Sequence, residues 1–442
     1  MRVAGRVRRF GGGTALAVAV MLLVGAGSAL AQAPPVREIE LDEAIRLALE
    51  NDPAAVTAAA AVSSAEADLL QARGAWLPSL NLNSSYANSS NERFDQATGR
   101  LVSENYTAQA SGSIDLFSGG RRLAQHRAAS AAVSAADASY RSQRFQTILN
   151  TTRTFYEAAA AAGLVRAAEQ RRERALQQLS FARTRLEVGT ATMSDVLRAE
   201  LEVGNAELAV LDARSTLHTA ALQLGRQVGV AGEVYPVASA LPERAPALPP
   251  VDALVERALR ASPAVVAAQA TLRSRRAERL ASYTPYLPSV RFSGGYDWFA
   301  YQFPPNQQSW SMRLTASLPV FNGFQREAAL QRAAAAERVA ETRARDAAIA
   351  TRVEVESAVQ EIASAERRVE IADHAVELAR EDLRVQEERY QIGAATILDL
   401  QASQVALAEA EVAAVRARQG LGTTIARLEA VLGAERGEED RE

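Results

Sequence analysis

His126, His218 and His374 are the side chains of this 442-residue chain best suited to metal binding or proton transfer, and they are scattered over segments with helical patterning. None has a second ligand at metal-site spacing, so each reads as a surface or packing residue. Cysteine is absent, which removes disulfides, thiolate metal sites, thiol nucleophiles and a lipid-modified N-terminal Cys. Abundant Glu and Arg read as solvated helix faces with i to i+4 support, not as acid and base pairs. There is no glycine loop of the nucleotide-binding kind, so energy must come from a partner. These residues predict no enzyme, no cofactor and no metal centre.

The elements that would position anything else begin with an export signal at residues 1–31. Arg2, Arg6, Arg8 and Arg9 precede an apolar run from Thr14 to Gly25, and Ala29-Leu30-Ala31 supplies small residues at signal-peptidase spacing. That run is shorter than the roughly 20 residues that span a bilayer as a helix, and no later stretch reaches that length. A closed barrel is the remaining way across a membrane. Hydrophobic residues make up 48 % of the chain and aromatics 5 %, so the apolar content is mostly Ala, with Leu and Val. Small side chains suit helices packed closely side by side. The formal charge of −3, with no basic run after the signal, argues against nucleic acid as a partner.

The chain repeats itself. Leu41-Asp42, Ala48-Leu49 and Pro53 return 210 residues later as Val251-Asp252, Ala258-Leu259 and Pro263, and Trp76-Leu77-Pro78-Ser79 returns as Tyr286-Leu287-Pro288-Ser289. At an offset of 204, Leu116-Phe117-Ser118-Gly119 answers to Val320-Phe321-Asn322-Gly323, and Arg185 to Asp195 answers to Arg389 to Asp399. The plan is therefore a first repeat at 32–226, a Pro-, Gly- and Ala-rich linker at 227–250, a second repeat at 251–432 and a disordered tail at 433–442.

Each repeat opens with a helix, about Leu41 to Ala75 and Val251 to Ser282, stopped by Pro78 or Pro288. A long helix follows at 120–188 and 324–392, roughly 100 Å each, ending at Gly189 and Gly393, where a left-handed residue costs nothing. The returning helices are expected at 194–226 and 398–432. Asp195 or Ser194, and Asp399 or Thr396, stand where a short polar side chain satisfies free amides. A first helix and a returning helix laid end to end match one long helix, which gives a wall four helices across. Val355, Ile362, Val369, Val376, Leu383 and Tyr390 recur every seven residues, and Ile371, Leu378, Val385 and Ile392 form a second series about 150° away. A helix apolar on two sides has a neighbour on each.

Strands are expected at 79–90, 106–117, 289–299 and 309–320, where apolar and polar residues alternate as in a barrel with one face to lipid and one to water. Tyr86, Tyr106, Tyr296, Trp298 and Trp310 read as interfacial aromatics at strand ends, with loops from Asn91 to Asn105 and from Ala300 to Gln308. Four strands leave two open edges, which hydrocarbon does not tolerate. Three copies give twelve strands and twelve helical staves, so a homotrimer embedded in outer membrane lipid is expected. The fold class is a mixed alpha and beta membrane protein, a trimeric twelve-stranded barrel continuous with a long coiled-coil tunnel.

Leu41-Asp42-Glu43-Ala44-Ile45 with Asn51-Asp52-Pro53, the two Leu-Pro pairs, Phe117-Ser118-Gly119-Gly120, Phe321-Asn322-Gly323 and the paired Gly189 to Asp195 and Gly393 to Asp399 segments together resemble the TolC family of outer membrane efflux proteins, over nearly all of the mature chain. The resemblance implies a trimer in the cell outer membrane of a Gram-negative bacterium, extending into the periplasm. It implies a periplasmic adaptor (membrane fusion) protein and an inner membrane pump, proton-driven or ATP-driven, as partners. The cargo it implies is drugs, toxic compounds or metals, with the exit duct of a type I protein secretion system as the alternative. A rival of another class is a non-conducting periplasmic coiled-coil structural protein.

In that family the turns farthest from the barrel close the periplasmic entrance, which implies a gate at Thr192, Asp195, Thr396 and Asp399. Asp399 matches a family aspartate of an acidic ring, and three copies of one carboxylate would favour cations in the lumen. A second family acid is replaced here by Ala402, and an arginine of the gate-locking network by Ala395. Val188, Gly189, Ile392 and Gly393 are the expected adaptor-contact turns.

Overall fold

The computed structural model describes residues 37–95, 99–237, 241–301, 303–305 and 307–433. The expected signal, and all of the tail but Gly433, lie outside them. Among the described residues no helix is long and apolar enough to cross a membrane.

The first repeat runs β1 (Arg37–Ile39), α1 (Leu41–Asn51), α2 (Pro53–Gly74), β2 (Ser79–Asp95), β3 (Arg100–Phe117), α3 (Arg121–Glu187) and α4 (Met193–Val228). A short strand β4 (Val234–Pro236) follows. The second repeat runs α5 (Val251–Ala261), α6 (Pro263–Ala281), β5 (Ser289–Ala300), β6 (Gln307–Ser317), α7 (Gln325–Gln391) and α8 (Ile397–Leu432). The linker expected at 227–250 thus holds a strand, which pairs in parallel with β1.

The opening helix of each repeat, expected as one rod, is broken at Pro53 and Pro263. Proline has no amide to donate and forces its predecessor out of the helical region. Asp52 and Ser262 accordingly take ψ values of 120° and 124°. Asp52 turns the break into a new start, accepting from the Ala54 amide at 3.1 Å and from the Thr147 hydroxyl at 2.6 Å. Against each corner rests the glycine that ends a returning helix, Gly229 with φ 76° beside Asn51 and Gly433 with φ 66° beside Ala261 and Pro263.

The two long helices are each 67 residues, about 100 Å at 1.5 Å per residue. α3 is flanked on one side by α2 and then α4, and on the other by α6 and then α8, which also flank α7. The helical layer is therefore four staves wide, ordered α2/α4, α3, α6/α8, α7. Two apolar clusters bind it at mid-height, one around Phe155, Leu224 and Val228, the other around Val355, Ile362, Val369, Leu421 and Ile425. Further from the strands α3 pairs with α4 through Leu179, Val196 and Val203, and α7 with α8 through Leu383, Tyr390, Leu400 and Leu407. The seven-residue series at Val355, Ile362, Val369, Leu383 and Tyr390 is the buried seam of α7.

The strands form one antiparallel sheet in the order β2-β3-β5-β6. The hairpin β2-β3 is longer than expected. Much of the loop assigned to Asn91–Asn105 is ladder, since β2 continues to Asp95 and β3 starts at Arg100, with an irregularity between Asn88 and Arg93. Period-two hydrophobicity marks only the part of a strand that needs an apolar face; polar residues pair equally well once the ladder has left it.

Candidate functional site

The two turns farthest from the sheet are built alike. Gly189 and Gly393 take φ of 76° and 77°, where an L side chain would be strained. The amides that follow return to the helix ends, Thr190 N to Arg185 O at 2.8 Å and Ala394 N to Arg389 O at 2.7 Å. The returning helix is then opened by a capping box. Thr192 accepts from the Asp195 amide at 3.3 Å while Asp195 accepts from the Thr192 amide at 2.8 Å. Thr396 and Asp399 repeat this at 3.3 and 2.9 Å. The N-caps are thus the threonines, not Ser194, and the aspartates close the boxes. Hydrogen bonds from the Thr396 amide and hydroxyl hold the exposed Asp399 carboxyl below the usual carboxylate range. With a depressed pKa, its charge and its capping contribution are present at neutral pH and lost as the pH falls through that lowered value.

Arg185 joins the turns and was missed in the sequence, although it heads one copy of a duplicated motif. Its guanidinium donates to the Thr190 carbonyl at 3.0 Å within its own turn and to the Tyr390 carbonyl at 2.5 Å across the gap, 4.8 Å over the Tyr390 ring. Arg389, its counterpart on the edge helix α7, braces its own turn at Ala394 O. Replacing Arg185 with Ala should raise amide exchange at Thr190–Thr192 and at Gly393–Ala394 at least fivefold by mass spectrometry, with α1 and α5 unchanged. Equal exchange in the second turn would show that Arg185 does not couple them. Val188 and Ile392 are 69 % and 80 % exposed, the apolar tips of the two turns.

At the other end, register places all five expected aromatics on one face of the sheet. Tyr86 lies opposite Tyr106, and Tyr296 opposite Trp310. Leu80, Leu82, Met312 and Leu314 share that exposed face, whereas Asn81, Asn83, Gln109, Ser111 and Ser309 share the other. The longer β2 and β3 move Tyr86 and Tyr106 away from strand ends, while Tyr296, Trp298 and Trp310 lie within four residues of theirs, so together they mark only the loop-side edge of the apolar band. The helix-side edge, which the sequence reading missed, carries the exposed Trp76, Phe117, Tyr286, Phe321 and Phe324. From Ser79 to Tyr86 the strand rises about 24 Å.

The family profile described as Outer membrane efflux protein matches residues 44–230 and 254–434, one stretch per repeat. The chain belongs to the TolC-type outer membrane efflux protein family. Among curated relatives it is 28 % identical to Protein CyaE of Bordetella pertussis over 67 % of this chain and 64 % of CyaE. It is also 28 % identical to the nickel-cobalt-cadmium resistance protein NccC of Alcaligenes xylosoxydans xylosoxydans, over 79 % of this chain and 75 % of NccC. The fold matches the outer membrane protein VceC of Vibrio cholerae with a TM-score of 0.72 at 20 % identity, covering 89 % of this chain and 96 % of that one. The TolC-type fold, long helices joined to an antiparallel sheet, and a place in the outer membrane reaching into the periplasm follow from membership. So does a role as an efflux channel protein and not an enzyme.

Proposed function

We propose that three copies close into a twelve-stranded barrel above a tube of twelve staves, and that this trimer is the outer membrane channel of a tripartite system. An inner membrane pump and a periplasmic adaptor would feed it, the adaptor at Val188, Gly189, Ile392 and Gly393. One observation carries the reading: among the described residues the sheet and the helical layer are unpartnered along the same two flanks. β2 and β6 have free edges, and below them α4 and α7 carry bare apolar stripes. On α7 the second heptad series is exposed, from 36 % at Val385 through Ile371 and Leu378 to 80 % at Ile392; on α4, Leu197, Leu201, Leu208 and Leu211 are about as bare.

The internal repeat supports a particular partner for the bare stripe of α7. Arg174 stands 204 residues before Leu378, and it reaches across from α3 to Glu411 on returning helix α8 at 3.1 Å. The same face of α7 therefore seeks the returning helix of another copy, α4. Copies joined flank to flank make a closed ring, and two would give only eight strands, whose interior side chains fill.

Single-channel recording of the detergent-purified protein in planar bilayers tests the whole proposal; absence of conductance would leave a periplasmic scaffold. In the open ring Asp399 would supply three carboxylates, and Asp399→Asn, which keeps an acceptor for the cap, should lower the cation over anion preference severalfold. In the wild type that preference should survive acidification until the pH drops below the ordinary carboxylate range. An unchanged preference in the variant would reduce Asp399 to a cap. The likeness to NccC favours divalent metal cations as the first cargo to test, against dyes and antibiotics; an ATP-driven exporter encoded beside a large secreted protein would favour polypeptide export instead.

A further inference from the structure

We propose that one face of the last turns of α6 binds the phosphate groups of anionic phospholipids in the inner leaflet of the outer membrane, an inference that rests on the barrel proposed above. On a helix turning 100° per residue, Arg273, Arg276 and Leu280 fall within about 60° of each other. Tyr283 continues the line just past the helix end at Ala281. All four are exposed. The other bare face of α6 carries Arg275 and Glu278, paired at 2.6 Å. One face is thus cationic and then apolar toward the membrane, and the other is polar and neutralised. Leu280 and Tyr283 gain from lipid and not from a water-filled lumen, so the Arg273 face is the outer one. α3 and α7 flank α6 within the chain, so ring closure leaves this face open.

The patch has cations to spare. Arg276 and Arg279 share the single carboxylate of Glu337, at 3.6 and 2.9 Å, and Arg273 is in no ion pair among the described residues. Arg276 and Arg273 stand about 7 and 12 Å from the end of α6. The headgroup layer extends about 5 to 8 Å beyond the hydrocarbon, so flexible arginine stems reach it. The first repeat lacks the device. At 210 residues earlier it has Ser63, Glu66, Leu70 and Arg73, with Leu70 equally bare. Leu70 thus repeats Leu280, but Arg73 stands where the second repeat has Tyr283, and a pair of cations at the Arg273 and Arg276 positions belongs to the second repeat alone, which gives one such pair per chain.

Native mass spectrometry of the full mature chain, released from detergent micelles containing phosphatidylglycerol and phosphatidylcholine, tests this. The wild-type trimer should retain phosphatidylglycerol in preference, and Arg273→Gln with Arg276→Gln should weaken that preference roughly twentyfold, at about fivefold per arginine near the surface. The reverse variant, Ser63→Arg with Glu66→Arg, should add phosphatidylglycerol to the trimer, and it decides the matter if the first variant assembles poorly. Equal retention of the two lipids by the wild-type trimer, or a preference untouched by both variants, overturns the patch. A wild-type chain that forms no trimer overturns instead the barrel on which it rests.

Discussion

Leu201→Glu combined with Leu208→Glu should yield a chain that folds, stays monomeric in detergent and conducts nothing. Both leucines lie on the exposed stripe of α4, 66 % and 61 % bare in the single chain, so the substitution disturbs no packing within it. In the ring each would be buried against α7 of the next copy. Losing two leucines forfeits about 4 kcal/mol per interface at about 2 kcal/mol each, roughly a thousandfold in association. The carboxylates add a desolvation cost. Size-exclusion chromatography with light scattering reads the outcome, and circular dichroism reads the fold. A variant that still ran as a trimer would place the interface elsewhere and remove the main support for a closed tube. A variant that lost its helical signal would mean that α4 depends on this face by itself, which its exposure argues against.

How far the sequence foretold this arrangement depends on whether a feature has a period or a partner. The second heptad series of α7 was legible because a face needing a neighbour must be apolar every seven residues, whichever chain supplies that neighbour. The paired turns were legible for a similar reason, since Gly189 and Gly393 can hold φ near 76° where other residues pay. The break at Asp52 and Pro53 was visible as a motif but read only as part of one helix. Its meaning lies in contacts with Thr147, 95 residues away, and with Gly229. Arg185 escaped notice because an arginine heading a turn is ordinary, and only the fold puts Tyr390 beneath it. The helix-side aromatics were hidden by their setting among Pro and Gly, outside any alternating run. The strand ends past Tyr86 were hidden because a polar ladder in water has no hydrophobic signature.

Gly119→Val and Gly323→Val should separate folding from assembly, although the two glycines occupy equivalent places in the repeats. Both have positive φ, 58° and 66°, so valine strains the turn in either case by about 1 to 3 kcal/mol. Their surroundings differ. A Cβ on Gly119 would lie 2.6 Å from the Leu287 Cβ and 3.2 Å from the Pro288 carbonyl oxygen, both in the Leu-Pro turn of the other repeat. Backbone and a first side-chain carbon cannot yield there, so Gly119→Val should abolish the protease-resistant fold in detergent. A Cβ on Gly323 would meet nothing within 4 Å in its own chain. The repeat supplies the missing neighbour: what Leu287-Pro288 is to Gly119, Leu77-Pro78 of the next copy would be to Gly323, and Leu77 is accordingly 70 % exposed. Gly323→Val should therefore leave a helical monomer of near-normal content but lower the trimer yield at least a hundredfold, read by chromatography at matched concentration. Normal trimer yield from Gly323→Val would mean that successive copies do not continue the spacing of the two repeats, and the ring would need another geometry.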